Sequence, residues 1–180
     1  MTPSVRIHAD EDAACAAAAK AVVEAGQAAF AARSRFVLAL AGGRSPRRMY
    51  QILADRFRDD LDWTRADYFW SDERTVPPDD PESNYRMASE SFLQPLGLPE
   101  QRIHRIQAEL APDAAARACE RRLADVFDVS ADGPPPALDL VLLGLGDGGH
   151  TASLFPHTAA LRESTRWVVA NEVPRLGATR

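Results

Sequence analysis

The sequence predicts an α/β fold of three layers, α/β/α, with a mainly parallel open sheet in the middle. Short apolar runs at residues 36–41, 66–70 and 138–143 have the length and composition of strands covered on both faces. Ala-rich or capped amphipathic stretches separate them, as crossover helices must in a parallel sheet. Gly- and Ser-rich segments follow the runs, where such folds carry their ligand sites, beyond the carboxyl ends of the strands.

Residues 12–32 are dominated by Ala with Val22, Val23 and Phe30, and Asp10 or Asp12 stands ready as N-cap, so this is a long scaffold helix. The run 36–41 is bounded by Arg35 and a Gly pair. A helix then starts with Ser45 as N-cap and Pro46 in its first position, and Met49, Leu53 and Phe57 repeat along one face. The strand at 66–70 ends in Ser71-Asp72-Glu73-Arg74, and the acidic, Pro-rich segment 77–82 is a loop. A helix is expected over 84–93 and another opening at Pro112. The Gly and three prolines in 130–136 form a connection, 138–143 is the best-marked strand, and 167–170 is a fourth.

With 180 residues, 46% hydrophobic and 26% charged, the chain reads as one domain spanning 1–180. A chain of this size buries roughly 70% of its unfolded surface, so it needs no disulfide or structural metal. Cys15 and Cys119 lie in separate helix-like stretches without a CxxC or Cys/His pattern, and the four histidines have no metal-ligand spacing. A reducing, cytoplasmic setting is expected. The longest apolar run contains Asp139 and is too short for a bilayer, and residues 1–12 lack a signal pattern. A net charge of −5 argues against a nucleic-acid partner, so any anionic ligand needs a local cationic site. A monomer is favoured.

Three strand ends carry the candidate chemistry. Gly42-Gly43-Arg44-Ser45-Pro46 can cradle a phosphate, because the Gly pair admits close backbone approach and the helix N-terminus offers free N–H groups; a tight turn with an ordinary cap needs the same residues. At the second end, Arg74 can bind phosphate or steady a developing oxyanion, with a neighbouring carboxylate, Asp72 or Glu73, holding its fork. At the third, His150 sits in a loop between Gly149 and Thr151, a setting suited to proton transfer, rather than the buried core of an ordinary structural histidine. The same loop matches the dinucleotide fingerprint at Gly144, Gly146 and Gly149, with Glu172 about 20 residues on, which makes an NAD(P)-binding enzyme a competing reading. Pro156 leaves little room for the helix which that fingerprint requires.

Taken together, Leu40-Ala-Gly-Gly-Arg-Ser-Pro46, Trp63 with Phe69-Trp-Ser-Asp-Glu-Arg74, Val76-Pro77, Ser83-Asn84-Tyr85, Leu143-Gly-Leu-Gly146 and Gly149-His-Thr-Ala-Ser-Leu-Phe-Pro156 resemble the 6-phosphogluconolactonase family, part of the larger group of sugar-phosphate isomerases, deaminases and lactonases. The resemblance implies hydrolysis of 6-phosphoglucono-1,5-lactone, a small phosphosugar, in the oxidative pentose phosphate pathway, with no metal or organic cofactor. It implies His150 as general base, Arg74 on phosphate or oxyanion, Gly42, Gly43, Arg44 and Ser45 around the 6-phosphate, and Asp72, Ser83 and Asn84 along the sugar. The family places Asp two positions before the His, where this chain has Gly148; Asp147, one position earlier, is the candidate replacement for orienting the imidazole. Family members also continue several dozen residues further, so the chain reads as incomplete at its C-terminus. Arg180 corresponds to an arginine that opens the next strand and joins the phosphate site, and here it is expected to lack that strand. A non-catalytic sugar-phosphate-binding paralogue is the alternative.

Overall fold

A computed structural model describes residues 3–180; Met1 and Thr2, which belong to the N-terminal segment read above for a signal, lie outside the described residues. Helix α1 (Glu11–Arg33) takes as its cap Asp10, one of the two candidates, whose carboxylate accepts from the Ala13 N–H at 2.7 Å, and it ends at Ser34 with a left-handed φ of 55°. Its buried residues, Cys15, Ala19, Val22, Val23, Gly26 and Ala29, form one stripe of small side chains, which lets the helix lie close to the layer beneath. A Cβ at Gly26 would meet Leu61 Cδ2 at 2.6 Å and Phe36 Cδ1 at 3.2 Å, so a side chain there would have to displace its neighbours.

Strands β1 (Phe36–Leu40), β2 (Ala66–Trp70) and β3 (Leu140–Val141) make a parallel sheet in the order β2-β1-β3. Phe36 to Leu40 pair in step with Ala66 to Trp70, and Leu38 and Ala39 face Leu140 and Val141. Tyr68 and Ile103 add a single parallel bridge on the outer side of β2. Because β1 and β2 are wholly buried, alternate residues serve two cores. Phe36, Leu38, Leu40, Tyr68 and Trp70 pack under α1 and α2 (Arg44–Arg56), while Val37, Ala39 and Phe69 meet Leu123, Val126 and Phe127 of α4 (Pro112–Phe127). Helices on both faces give the three-layer α/β/α fold.

The helix expected over 84–93 is α3 (Asn84–Ala88) running into a widened turn, Ser89–Leu93. That turn delivers Phe92, fully buried, among Tyr50, Trp63 and Tyr68, with ring centroids at 5.7, 5.3 and 5.8 Å. Truncation of such a ring typically costs about 3–5 kcal/mol.

Two strand expectations need correction. Only Leu140 and Val141 of the run 138–143 are paired, with Leu142 N–H still reaching the Ala39 carbonyl at 2.9 Å. Asp139 explains the acid in that run: it accepts from Val37 N–H at 2.8 Å and pairs with Arg33. Beyond it Leu143 and Leu145 are exposed, since no strand of the described residues lies along the outer edge of β3. Residues 167–170 are not a strand either. The Glu120 carboxylate on α4 accepts from Trp167 N–H and Val168 N–H at 3.0 and 3.2 Å, supplying the acceptors a neighbouring strand would have supplied. The pairing comes later, in the antiparallel hairpin β4 (Glu172–Val173) and β5 (Ala178–Thr179).

Candidate active site

The carboxyl end of β1 is pinned from beneath. The Tyr50 hydroxyl on α2 accepts from Ala41 N–H and donates to the Ala41 carbonyl, both at 2.9 Å. Burial raises the Tyr50 phenol far above its ordinary value, so it remains a neutral clamp. Gly42 then passes so close to Asn84 that a Cβ would stand 1.9 Å from its Oδ1, and Gly43 turns with φ +108° to open α2. Here the expectation that Ser45 caps the helix is corrected. Gly43 is the cap residue, no side chain caps the first turn, and the Ser45 hydroxyl instead donates to Glu11 Oε1 at 2.9 Å. Arg44 is exposed and makes no hydrogen bond or ion pair among the described residues.

At the end of β2 the acids divide their work. Glu73, 6% exposed, accepts from the N–H groups of Arg74, Asn84 and Tyr85 and from the Ser83 hydroxyl, at 2.7–3.1 Å. It is therefore committed to the N-terminus of α3 and does not hold the Arg74 fork, correcting the expected role of that carboxylate. Ser83 is the N-cap of α3, 1% exposed, with its oxygen also accepting from Arg86 N–H at 3.1 Å. Asn84 is equally buried and donates through Nδ2 to the Asp72 carbonyl at 3.1 Å and to Asp72 Oδ1 at 3.3 Å. Ser83 and Asn84 thus brace the site from within. Asp72 Oδ2 accepts from the Ser153 hydroxyl at 2.5 Å, bridging the second and third strand ends.

In the third loop the Gly146 N–H donates to the His150 carbonyl at 2.9 Å and the Gly149 N–H to the Gly146 carbonyl at 2.8 Å, folding the glycines into a tight turn. The His150 ring lies against Gly146, where a Cβ would stand 2.0 Å from Cε1, and stacks on Phe155 at 3.9 Å and 19°. Its Nδ1 is buried without a hydrogen-bond partner. Asp147 is exposed and His150 Nδ1 has no partner, so Asp147 does not orient the imidazole through that nitrogen as expected; the turn that seats the ring leaves the neighbouring side chain in solvent. A Cβ at Gly148, the position where the resemblance calls for Asp, would meet Arg175 Nη1 at 2.3 Å, and Arg175 lies 5.3 Å from the Phe155 centroid. Arg175 escaped the sequence reading, because its proximity depends on the hairpin turn.

That hairpin closes the fourth side. Asn171 and Arg180 exchange backbone hydrogen bonds at 2.9 Å, Asn171 Nδ2 donates to the Ser153 carbonyl at 2.7 Å, and the Thr75 hydroxyl donates to the Thr179 carbonyl at 2.8 Å. Arg180 therefore directly follows β5, with its backbone held by Asn171. Burial and the Arg74 charge lower its pKa, opposed by Asp72, Glu82 and Glu73. Neither Arg74 nor Arg180 has a carboxylate within ion-pairing distance among the described residues. Two neighbouring guanidinium groups left this way favour an anion between them. Asp72, Ser153 and Arg180 also border a mostly apolar cleft of about 390 Å³ that runs between the sheet and α4.

The dinucleotide reading fails on the backbone. Residues 151–158 form turns, with a bridge between Thr151 and Leu154, where the fingerprint needs a helix directly after Gly149. Among the described residues no three His, Cys, Asp or Glu side chains cluster as metal ligands would, and no helix is long and apolar enough to cross a membrane.

The family model for glucosamine-6-phosphate isomerases/6-phosphogluconolactonase matches residues 9–180, and the chain belongs to that family. It is 44% identical over 155 residues to the 6-phosphogluconolactonase of Synechocystis sp., covering 84% of this chain and 63% of that protein. With the Nostoc sp. 6-phosphogluconolactonase the identity is 38% over 169 residues, 93% of this chain and 69% of the relative. The chain thus spans about two thirds of the length of these relatives. Among solved structures, the devB protein superposes with a TM-score of 0.84 at 31% identity over 97% of this chain and 71% of its own. The 6-phosphogluconolactonase from Trypanosoma cruzi gives 0.82 at 28% over 94% and 68%.

Proposed function

We propose that the site hydrolyses 6-phospho-D-glucono-1,5-lactone to 6-phospho-D-gluconate, as a monomeric enzyme of the cytoplasmic oxidative pentose phosphate pathway, within the single unit formed by residues 1–180. The observation that carries this reading is the Arg74 and Arg180 pair, two adjacent cations without carboxylate partners at the same strand ends as a loop-borne histidine. Arg44 and the uncapped first turn of α2 are the further groups available to the 6-phosphate.

In the reaction His150 takes a proton from water as the water oxygen bonds to the lactone carbonyl carbon, a role worth about 10²- to 10⁴-fold. A guanidinium, that of Arg74, steadies the charge on the carbonyl oxygen. Collapse breaks the bond to the ring oxygen, which takes the proton back from the imidazolium and stays attached to the product as a hydroxyl. The strained ester needs neither metal nor organic cofactor for these steps.

The unpartnered Nδ1 of His150 favours a second reading, a domain that binds the sugar phosphate without turnover. A lactonase assay beside calorimetry with 6-phosphogluconate separates the two. Turnover lost in His150→Ala supports the enzyme; binding without turnover supports the second reading; neither binding nor turnover overturns both.

A further inference from the structure

A second cluster of cations lies at the opposite, amino-terminal end of the strands. Arg35 and Arg65 immediately precede β1 and β2, Asp67 is the second residue of β2, and His104 follows the bridge residue Ile103. With Arg102 and Arg122 they border an open cleft of about 600 Å³. From Ala66 to Trp70 the strand alone separates this cleft from the candidate active site by roughly 13 Å, at about 3.3 Å per residue.

The cluster is built. Asp67, 3% exposed, accepts from His104 Nε2 at 2.8 Å and faces Arg102 at 3.2 Å and Arg35 at 3.5 Å. His104 Nδ1 in turn accepts from Arg122 Nε at 3.0 Å, which leaves Nε2 to donate to Asp67. Aromatic faces brace two of the guanidinium planes, Arg35 at 4.4 Å over Phe127 and Arg65 at 4.8 Å over Phe30. Backbone carbonyls take one donor each from Arg35, Arg65 and Arg122, at 2.9, 3.2 and 3.4 Å.

Each guanidinium has five N–H donors, so most of them are free to serve a ligand. Four fixed cations around one carboxylate, in a chain of net charge −5, are the reverse of the molecule's overall sign. A single carboxylate or orthophosphate would leave most of these donors and much of the volume unused. We propose that this cleft is a second anion site, one that takes the diphosphate or triphosphate moiety of a ligand in a bidentate grip.

Calorimetry of the 180-residue chain with inorganic pyrophosphate tests this, with amide shift mapping on the same sample. The expected result is saturable binding, at least tenfold tighter than orthophosphate, with shifts centred on residues 34–35, 65–67, 101–104 and 122–126. Arg65→Gln/Arg122→Gln should weaken it at least tenfold, while Arg74→Ala leaves it intact. Adenosine diphosphate binding as tightly as pyrophosphate assigns a nucleotide source, and weaker binding assigns a free polyphosphate. No saturable binding, shifts centred on residues 42–45 and 74, or loss in Arg74→Ala would overturn the proposal. If the double variant fails to fold, the wild-type shift map decides alone.

Discussion

Gly146→Ala is the sharpest probe of the candidate active site, because it adds one methyl group where the His150 ring rests. The added carbon would stand 2.0 Å from Cε1, 2.5 Å from Nε2 and 2.6 Å from Nδ1. Carbon atoms in contact settle at about 3.5–4.0 Å, so the ring must retreat by roughly 1.5 Å. Phe155, 5% exposed and already stacked on that ring, makes the retreat a departure from the stack or an opening of the Gly146–His150 turn. A misplacement of about 1 Å in a catalytic group costs about 10²-fold in rate. That corresponds to about 2.7 kcal/mol on the barrier. The matched control is Gly144→Ala, where a Cβ meets nothing within 4 Å; a surface change of this kind stays within about 0.5 kcal/mol, or roughly twofold in rate. The assay is kcat/KM for the phosphorylated lactone, with melting midpoints to confirm that both variants are folded. The His150 Cε1 proton shift provides a readout free of turnover, since leaving Phe155 removes its ring-current shift. Unchanged kcat/KM and an unchanged proton shift in folded Gly146→Ala would refute the geometry.

Glu73→Ala leaves three N–H groups and a hydroxyl without their acceptor, at about 1–3 kcal/mol for each buried group left unsatisfied, so urea unfolding should show a loss of about 3 kcal/mol or more. Burial pushes the Cys119 thiol up to about 12, and burial with the Glu11 and Asp12 charges raises Cys15, so native protein at pH 8 should label slowly at both thiols and fast in urea; rapid native labelling would contradict their burial. At Asp67 burial acts to raise the pKa, but the His104 hydrogen bond and the Arg102 and Arg35 charges outweigh it, so the folded value lies below the unfolded one of about 3.9. Its stabilisation is therefore complete above that unfolded value and lost as pH falls through the folded one; the stability gap between wild type and Asp67→Asn should be widest near neutrality and narrow in acid, and a gap independent of pH would refute the assignment. Gly148→Asp should pair with Arg175, the flexible neighbour at that position, and raise lactonase activity at least tenfold only when combined with Arg175→Gln. An equal gain in the single variant would mean that the new carboxylate reaches His150 unaided.

What could be read in advance follows a physical division between local and distant causes. The strands read at 36–41 and 66–70 and the Pro112 start are set by residues within a turn or two; the structure has them at 36–40, 66–70 and 112, and of the two cap candidates it uses Asp10. The run 138–143 and the segment 167–170 have equally good strand composition. Whether they become strands depends on what lies alongside, and Glu120, 47 residues from Trp167, satisfies the second of them instead. The site divides in the same way. The Gly42-Gly43 turn is legible because it is a property of backbone, whereas the carboxylates are not. Glu73 adjoins Arg74, and Asp147 stands near His150 in the chain, yet neither pairs with that neighbour's side chain. Glu73 is drawn to the three donors at the start of α3, while Asp147 is turned out by the glycine turn that seats the ring. The link that does join two strand ends, Asp72 to Ser153, spans 81 residues and has no local signature. Adjacency in sequence therefore overstates the reach of a short acid. A carboxylate that orients His150 must approach Nδ1 from position 148 or from across the fold, and the side chain that now comes nearest to position 148 is the cation of Arg175. The electrostatics of this loop are thus inverted relative to the pattern it resembles, a cation standing where an anion is expected.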